Sequence, residues 1–490
     1  MTILVYGHSF TVELERLCRL FFPDESIRTV TEIEAQEDFS AAVMLRERDG
    51  GHWVDTELKL GDDRRAHHAQ ISDDELADEE TLHLALAGGL YELLCELTGY
   101  RPPWGMLTGV RPVKLLRMLL ERYDEAKARD MFVKGFRCTE EKYRLCRDTV
   151  EREQSILELS RPNSFSLYIS IPFCPTRCSY CSFVSQSVEQ SKKLLPEYVD
   201  YLVKEIEFTA NQAKELGLHL ETVYMGGGTP TTLSAEQLTR VLGAVNSCFD
   251  MSGVREFTVE AGRPDTVTPE KMLALKAQGV GRISINPQTL NDSVLEQIGR
   301  RHTAAQVYEA MEMARAAGFD DINMDLITGL PGDDIASFER TIDGVLSLKP
   351  ENITVHTLSM KRASTMVTAQ SLASDAHGDT AGEMLAMCAA RLPDQGYHPY
   401  YLYRQTRMVG NLENVGWATD GHDGLYNVYI MDETHTILAV GAGGVTKLRQ
   451  PGVNNIDRVY NYKFPYEYIS RFDLMLEKKG RVKTFYEEFC

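Results

Sequence analysis

The stretch LYISIPFCPTRCSYCSF, residues 167–183, joins a short apolar run to three closely spaced cysteines. The run LYISIPF has the length and apolar content of a buried β-strand. Cys174, Cys178 and Cys181 close this stretch, with the spacing C-x3-C-x2-C. A strand that ends in three thiols predicts a metal or redox site at its carboxyl end.

Five more strand-like segments follow, separated by amphipathic helical stretches. They are ETVYMGG (221–227), EFTVEA (256–261), RISINPQ (282–288), DINMDLITGL (321–330) and NITVHTLSM (352–360). Six strand–helix units in succession predict an α/β fold whose parallel sheet forms a partial (β/α)6 barrel. In barrels of this kind, ligands bind at the carboxyl ends of the strands.

The pattern changes twice along the chain, which predicts three regions. Residues 1–160 form an accessory α/β region, with strand-like pieces such as TILVYG, AAVMLRE and HWVDTELKL and helical stretches at 78–99 and 112–135. Residues 161–395 form the barrel. Residues 396–490 form a C-terminal β/α domain, in which YHPYYLYRQ and GLYNVYIMDETHTILAVGAGGVTK are interpreted as strands and turns before a final helix at about 464–489.

Composition excludes several broad classes of protein. The chain has 490 residues, 52 Lys+Arg against 72 Asp+Glu, a net charge of −20 and 43% hydrophobic residues. These values are typical of a globular protein with two to four domains. The acidic balance argues against a nucleic-acid partner, which a basic surface would bind. No apolar run reaches the roughly 18 residues of a membrane span and the start does not resemble a signal peptide, so we expect a cytoplasmic protein.

The ten cysteines are too sparse for a disulfide scaffold, and only the three after the first strand are clustered. Three thiolates on one loop can each bind one iron of a 4Fe–4S cluster and leave the fourth iron open to a ligand. A zinc site with a distant fourth ligand, as in a structural protein, is compatible with the same spacing.

Other unusual residues also follow strand ends. The second strand ends in GGGTPT, residues 226–231, where bare backbone allows a ligand to approach closely. Glu260 ends the third strand, and its carboxylate can accept a hydrogen bond from an ammonium group or a ribose. Asp325 lies inside the apolar segment NMDLITGLPG, where a lone carboxylate is costly unless it is paired. We therefore expect these residues to share one rim.

These motifs together resemble the radical S-adenosylmethionine (SAM) superfamily, through C-x3-C-x2-C, GGGTP and a late DLI-x-GLPG. Within it the chain looks like the oxygen-independent coproporphyrinogen III dehydrogenase family, HemZ-type branch. The segments that carry this likeness are SLYISIPFCPTRCSYCSF, GGGTPTTL, TVEAGRPDT, RISINPQTL, NMDLITGLPG, VHTLSMKRAS and YLYRQ…ENVG. They cover about 165–450, and WGMLTGVRPVK extends the likeness more loosely into the N-terminal region.

The resemblance implies roles for particular residues. The three clustered cysteines would hold one 4Fe–4S cluster, and no further catalytic side chain is assigned. The positions that match contacts to the SAM on the open iron are Tyr168, Gly227 and Glu260. Those that match positions around a second SAM are Tyr180, Gly228, Thr229, Gln288, Arg300 and Asp325.

The resemblance also implies a reaction in porphyrin and haem biosynthesis. Two propionates of coproporphyrinogen III would be oxidatively decarboxylated to vinyl groups, giving protoporphyrinogen IX. A 5′-deoxyadenosyl radical made from SAM would start each step, after a donor such as flavodoxin or ferredoxin had reduced the cluster.

Two positions depart from the dehydrogenase pattern. Phe183 stands where a fourth cysteine is usual, and Ser170 stands where a histidine precedes IPFC. The related haem-chaperone branch also lacks the fourth cysteine. Two other functions therefore stay open: a haem-binding protein of the same family, and a radical SAM enzyme acting on another tetrapyrrole.

A tetrapyrrole with four propionates needs cations, and Arg suits carboxylates because it binds them through two hydrogen bonds. The candidates for this role are Arg301, Lys361 and Arg362. The charged clusters from which they are chosen are Arg300–Arg301–His302, Lys361–Arg362, Arg404 with Arg407, and Lys447 with Arg449.

Overall fold

The computed structural model describes residues 1–32, 38–183, 185–359, 378–405, 408–453 and 455–489. Lys361, Arg362 and Arg407 lie outside the described residues. The chain forms two compact units. The first comprises Met1–Val150 with short later pieces that include Arg404–Leu412, and the second comprises most of the chain from Glu151 onward.

The first unit is built on a five-stranded sheet in the order β2-β1-β3-β4-β5. Its strands are β1 Thr2–Tyr6, β2 Arg28–Val30, β3 Phe39–Arg48, β4 Gly51–Leu60 and β5 Asp63–Ile71. Its helices are α1 Val12–Phe21, α2 Asp73–Ala77, α3 Glu79–Thr98, α4 Pro112–Arg122, α5 Glu125–Asp130 and a π-helical turn Met131–Gly135. Helix α6, Glu140–Leu157, carries the chain into the second unit.

One local prediction for this unit needs correction. The helical stretch expected over 112–135 is broken after Arg122, because Asp124 caps a new helix by accepting a hydrogen bond from the Lys127 amide. Strand β5 has no clear signal in the sequence, since it is polar. It pairs with β4 nevertheless, because only alternate side chains of an edge strand need to face the core.

The second unit contains an eleven-stranded sheet in the order β14-β15-β13-β12-β11-β10-β9-β6-β16-β17-β18, and a separate pair β7-β8. The barrel strands are β6 Ser164–Ile171, β9 His219–Gly227, β10 Glu256–Glu260, β11 Arg282–Ser284, β12 Ile322–Thr328 and β13 Asn352–Thr357. The remaining strands are β7 Phe173–Cys174, β8 Gln186–Ser187, β14 His398–Tyr403, β15 Asn414–Ala418, β16 Thr436–Val440, β17 Val445–Arg449 and β18 Ile456–Tyr460.

The six predicted barrel strands are confirmed as consecutive parallel neighbours. The helices that follow them are α7 Val188–Ser191, α8 Leu195–Glu215, α9 Ala235–Cys248, α10 Pro269–Ala277, α11 Asp292–Gln297, α12 Ala304–Ala316, α13 Ile335–Ser347 and α14 Asp379–Asp394. Sequence explains several of their starts: Ser234 with Gln237 and Thr303 with Gln306 form capping boxes at α9 and α12.

The C-terminal region joins the same sheet at both ends. Strand β16 lies parallel to β6, and β15 lies antiparallel to β13. The last helices are α15 Leu425–Asp432, α16 Pro465–Ser470 and α17 Phe472–Phe489. The expectation that GLYNVYIMD is strand or turn is wrong, because Tyr426 and Tyr429 are three residues apart and helical geometry places both on one buried face. The division at residue 395 stays a prediction.

Among the described residues, no helix has both the length and the apolar content that would let it cross a bilayer.

Candidate functional site

Backbone hydrogen bonds hold the cysteine loop in place at its base and on the opposite side. The short strands β7 and β8 pair Phe173 with Gln186 and Cys174 with Ser187. This pairing closes the base of the loop that carries the cysteines. On the far side, the Ser179 amide donates to the carbonyl of Ile298 over 3.0 Å. The loop is therefore held between the end of β6 and the turn after α11.

Each of the three sulfurs has its own hydrogen-bond donor. The Thr229 hydroxyl lies 3.6 Å from Cys174 Sγ, and Arg263 Nη1 lies 3.8 Å from Cys178 Sγ. Cys181 accepts from the amide of Phe183, although burial outweighs this bond and raises the pKa of the thiol. Donors to a ligand sulfur are contacts that orient and tune a metal–thiolate site.

The glycine run lies directly beside this loop. The register of β6 and β9 places Ile171 opposite Gly227, and the Gly228 amide donates to the Ile171 carbonyl over 2.7 Å. A Cβ on Gly228 would lie 2.6 Å from the carbonyl oxygen of Phe173, and Gly227 has a φ of +106°. Both positions thus require glycine, because a side chain at Gly228 would collide with neighbouring backbone and Gly227 has a left-handed φ.

Glu260 lies across from the glycines, at the end of β10. A Cβ on Gly226 would lie 2.9 Å from the Glu260 carboxyl carbon, and the Tyr224 hydroxyl donates to Oε1 over 2.6 Å. Desolvation raises the pKa of Glu260 to about 7, although the Tyr224 bond opposes the shift. The rings of Tyr168, Tyr224 and Tyr426 stack beside it. A cationic ligand group would favour the ionised carboxylate here.

Asp325, on β12, and Gln288, after β11, lie next to each other. The Gln288 amide donates to the Asp325 carbonyl over 2.9 Å, and Gln288 adopts a positive φ of 69°. Burial alone would raise the pKa of Asp325, but interactions with His356 and Asn323 outweigh it and lower that pKa. His356 Nε2 lies 3.8 Å from Asp325 Oδ2. The Asp325 side chain is therefore already paired in the folded protein. A carboxylate inside an apolar segment was expected to need such a partner.

The three residues of the expected basic cluster, Arg300, Arg301 and His302, differ in their exposure to solvent. Arg300 is buried and donates to the Asn286 carbonyl over 2.6 Å and to the Tyr180 hydroxyl over 3.1 Å. Burial, followed by the charges of Arg300 and Arg263, lowers the pKa of His302 to about 3. Arg301 alone is exposed. Only this one of the three can meet a large anion from solvent.

Another expected cation group is structural. Arg404 is buried, and its guanidinium donates to the carbonyls of Leu107 and Asn411, so it is not available to a substrate. Lys447 and Arg449 both lie on β17, which β16 separates from β6 in the sheet, so neither lies on one of the six barrel strands. The expectation for Arg404 is therefore wrong, because backbone acceptors already occupy its donors.

Three residues near the site were not assigned from sequence. Arg263 contacts the cysteine loop, Tyr224 donates to Glu260, and His356 faces Asp325. Arg263 and His356 lie just after or at the carboxyl end of a barrel strand, whereas Tyr224 lies inside β9. The rule that such ends carry function would have found Arg263 and His356, but it does not say which side chains they would touch.

The residues present fit a 4Fe–4S cluster. Three thiols lie on one loop that is held at both ends, each with a donor to its sulfur, and the loop lies beside the glycine run. Among the described residues, no three His, Cys, Asp or Glu side chains converge as ligands of a single metal ion would. Cysteine ligands of a 4Fe–4S cluster need not converge in that way, since each binds a different iron.

Comparison with known proteins also indicates a radical SAM protein. Residues 168–345 match the family model described as the radical SAM superfamily. The chain is 34% identical over 473 residues to the oxygen-independent coproporphyrinogen-III oxidase-like protein HemZ of Bacillus subtilis, covering 95% of this chain and 94% of that protein. It is also 40% identical over 194 residues to the heme chaperone HemW of the same organism, covering 39% of this chain and 50% of that protein.

One solved structure is similar as well. It is described as coproporphyrinogen III oxidase (HemN) from Escherichia coli, a radical SAM enzyme. The identity is 23%, the TM-score is 0.48, and the match covers 66% of this chain and 73% of that one.

Proposed function

Because the chain belongs to the radical SAM superfamily, in the family of oxygen-independent coproporphyrinogen-III oxidase-like proteins, we propose that it decarboxylates coproporphyrinogen III. Radical SAM proteins use a 4Fe–4S cluster and SAM, and these are the cofactors of this chain. The observation that carries the proposal is the likeness to the HemZ protein, which extends over 95% of the chain rather than over the barrel alone.

In this proposal Cys174, Cys178 and Cys181 hold the cluster. Glu260 and the bare backbone at Gly227 receive the amino and carboxylate groups of SAM, and Tyr168 borders them. The other six rim residues surround a second SAM: Tyr180, Gly228, Thr229, Gln288, Arg300 and Asp325. Arg301 binds a propionate from the exposed side, together with Lys361 and Arg362 of the stretch outside the described residues.

The reaction converts two propionates to vinyl groups. The cluster and SAM, held by the residues named above, would supply the one-electron radical chemistry that removes a hydrogen atom from a propionate side chain. The substrate then loses carbon dioxide and one electron, and a carbon–carbon double bond forms. The electron passes to a one-electron acceptor.

Two further parts of the proposal concern the surroundings of the protein. The electron that reduces the cluster comes from a flavodoxin or a ferredoxin. The protein works in the cytoplasm, because three clustered free thiols require a reducing compartment.

The test is an anaerobic assay of the full-length protein with a reconstituted cluster, reductant, SAM and coproporphyrinogen III, with products followed by mass spectrometry. We expect the loss of two carboxyl groups per substrate, with 5′-deoxyadenosine formed. If 5′-deoxyadenosine forms and the porphyrinogen stays intact, the substrate is wrong and another tetrapyrrole is sought.

A pair of cysteine variants tests the site. Cys178→Ala should abolish formation of 5′-deoxyadenosine, because one iron loses its ligand. Cys248→Ala is the matched control, since Cys248 is a free, partly buried thiol on α9, outside the loop. It should keep full activity and iron content. Unchanged 5′-deoxyadenosine from Cys178→Ala would contradict the assignment.

Haem binding is the second candidate, and two observations favour it. The heme chaperone HemW is 40% identical over 194 residues, and Phe183 occupies the position of the fourth cysteine with 62% of its surface exposed. A stoichiometric haem titration distinguishes the two functions. Saturable binding of one haem, without porphyrinogen turnover, would favour the chaperone.

A further inference from the structure

Arg263 is a buried arginine whose role neither the motifs nor the comparisons assign. It follows β10 and precedes the 3₁₀ turn Pro264–Thr266, and only 3% of its surface is exposed. Its Nη1 lies 3.8 Å from Cys178 Sγ and 3.1 Å from the Thr176 hydroxyl. One guanidinium edge therefore faces the loop that carries the cluster ligands.

Asp265 holds the other edge. Arg263 Nε lies 3.1 Å from Oδ1 and Nη2 lies 3.2 Å from Oδ2, a two-point pair that fixes the plane of the guanidinium. The Asp265 carboxylate is mostly buried too, with 19% of its side chain exposed. The pair orients the remaining N–H groups of Arg263 toward Cys178, and places the negative charge on the side away from the sulfur.

We propose that Arg263 sets the reduction potential of the 4Fe–4S cluster through Cys178, with Asp265 as its counter-charge. Reduction adds one negative charge to the cluster and its thiolates. A buried positive charge that donates to a ligand sulfur stabilises the reduced state more than the oxidised state. Screening is weak because the guanidinium is out of contact with solvent.

The sign of the effect differs for the two partners. Removing the Arg263 charge makes the cluster harder to reduce, which lowers the midpoint potential. Removing the Asp265 charge leaves the guanidinium uncompensated, which raises it. A purely structural role, in which the pair only pins the loop, does not produce shifts of opposite sign. The proposal concerns the cofactor and not the substrate, so it stands or falls independently of the decarboxylation.

The experiment measures the cluster and requires no turnover. Full-length protein is reconstituted anaerobically and reduced stepwise with titanium(III) citrate at measured potentials, and the reduced cluster is quantified by electron paramagnetic resonance. For Arg263→Gln, we expect the ratio of reduced to oxidised cluster at a fixed potential to fall roughly tenfold, about 59 mV for a one-electron couple. Asp265→Asn should raise that ratio, and Arg263→Lys should retain most of the wild-type value.

Arg240→Gln is the matched control, because Arg240 pairs with Asp200 with half of each side chain exposed. It should leave the midpoint unchanged. An unchanged midpoint in Arg263→Gln with full iron content would overturn the proposal, as would shifts of the same sign in the Arg263 and Asp265 variants. If Arg263→Gln takes up no cluster, Asp265→Asn decides: a raised midpoint supports the proposal, and an unchanged or lowered one overturns it.

Discussion

Glu260 is a residue whose environment, more than its type, sets its chemistry. It lies at the end of β10 next to Gly226 and receives a hydrogen bond from Tyr224, and burial raises its pKa to about 7. Below about pH 7 the neutral acid is therefore favoured in the folded protein. An ammonium group placed there by SAM would reverse that preference, because an opposite charge favours the ionised form.

This shift predicts a pH dependence of stability. Glu260 has a higher pKa in the folded protein than its ordinary value of 4.5, so the native state binds the proton more tightly than the unfolded chain. The stabilisation is complete below about pH 4.5 and is lost as pH rises through about 7. Between pH 5 and 8, wild-type protein should lose about 1–3 kcal/mol relative to Glu260→Gln.

The measurement is urea unfolding of the cluster-free protein at several pH values. Glu236→Gln is the control, because Glu236 is exposed in the first turn of α9. Its difference from wild type should not vary over this range. A Glu260→Gln difference that is equally flat would show that Glu260 keeps an ordinary pKa.

At the scale of elements, helix α17 is fixed to the sheet by a buried ion pair. Lys479 Nζ lies 2.5 Å from Glu205 Oε1 and 2.6 Å from the carbonyl oxygen of Ala439 on β16. Glu205 on α8 also accepts from the Gly441 amide, the Tyr468 hydroxyl and the Asn461 amide group. Three elements distant in sequence thus share one charged network, in which every member depends on the others.

Breaking this network from one side should be costly. Lys479→Met leaves the Glu205 carboxylate buried without its counter-charge, and we expect the free energy of unfolding to fall by about 3–5 kcal/mol. The double variant Glu205→Gln, Lys479→Met should lose less than the sum of the single losses.

Lys483→Met is the control on the same helix, since Lys483 and Glu215 form an exposed pair at 3.8 Å. Its loss should be under about 1 kcal/mol. Equal losses at positions 479 and 483 would mean that the buried network adds nothing to the anchoring of α17.

At the scale of the whole molecule, a late segment completes the first unit. Arg404 is buried with its guanidinium 2.5 Å from the carbonyl oxygen of Leu107 and 2.8 Å from that of Asn411. Its amide donates to the Val110 carbonyl over 2.8 Å. The loop 104–110 therefore relies on a residue about three hundred positions away along the chain.

We expect Arg404→Met to loosen that loop. The carbonyls of Leu107 and Asn411 lose a charged donor, which corresponds to about 2–3 kcal/mol of local stability. Hydrogen exchange measured on peptides that cover 100–111 should accelerate by roughly tenfold or more. Arg391→Met, which removes the partly exposed pair with Asp343, should leave those peptides unchanged. Equal protection in both variants would contradict the role of Arg404.

The sequence by itself predicts the six barrel strands and the cysteine loop, because both are local signals. A buried parallel strand is a short apolar run, and a cluster loop is a spacing of three cysteines. Neither depends on distant residues. The sequence alone also indicates the likeness to radical SAM proteins, since the motifs occur in a fixed order and each lies at a strand end.

Only the tertiary structure decided which groups meet. The pairing of β16 with β6 and the removal of Arg404 from the substrate cations both depend on partners far away in sequence. The contact of Arg263 with Cys178 is of the same kind. Local periodicity reports whether a residue is buried, but hydrogen-bond partners and charge compensation are set by packing, where elements distant in the chain come together.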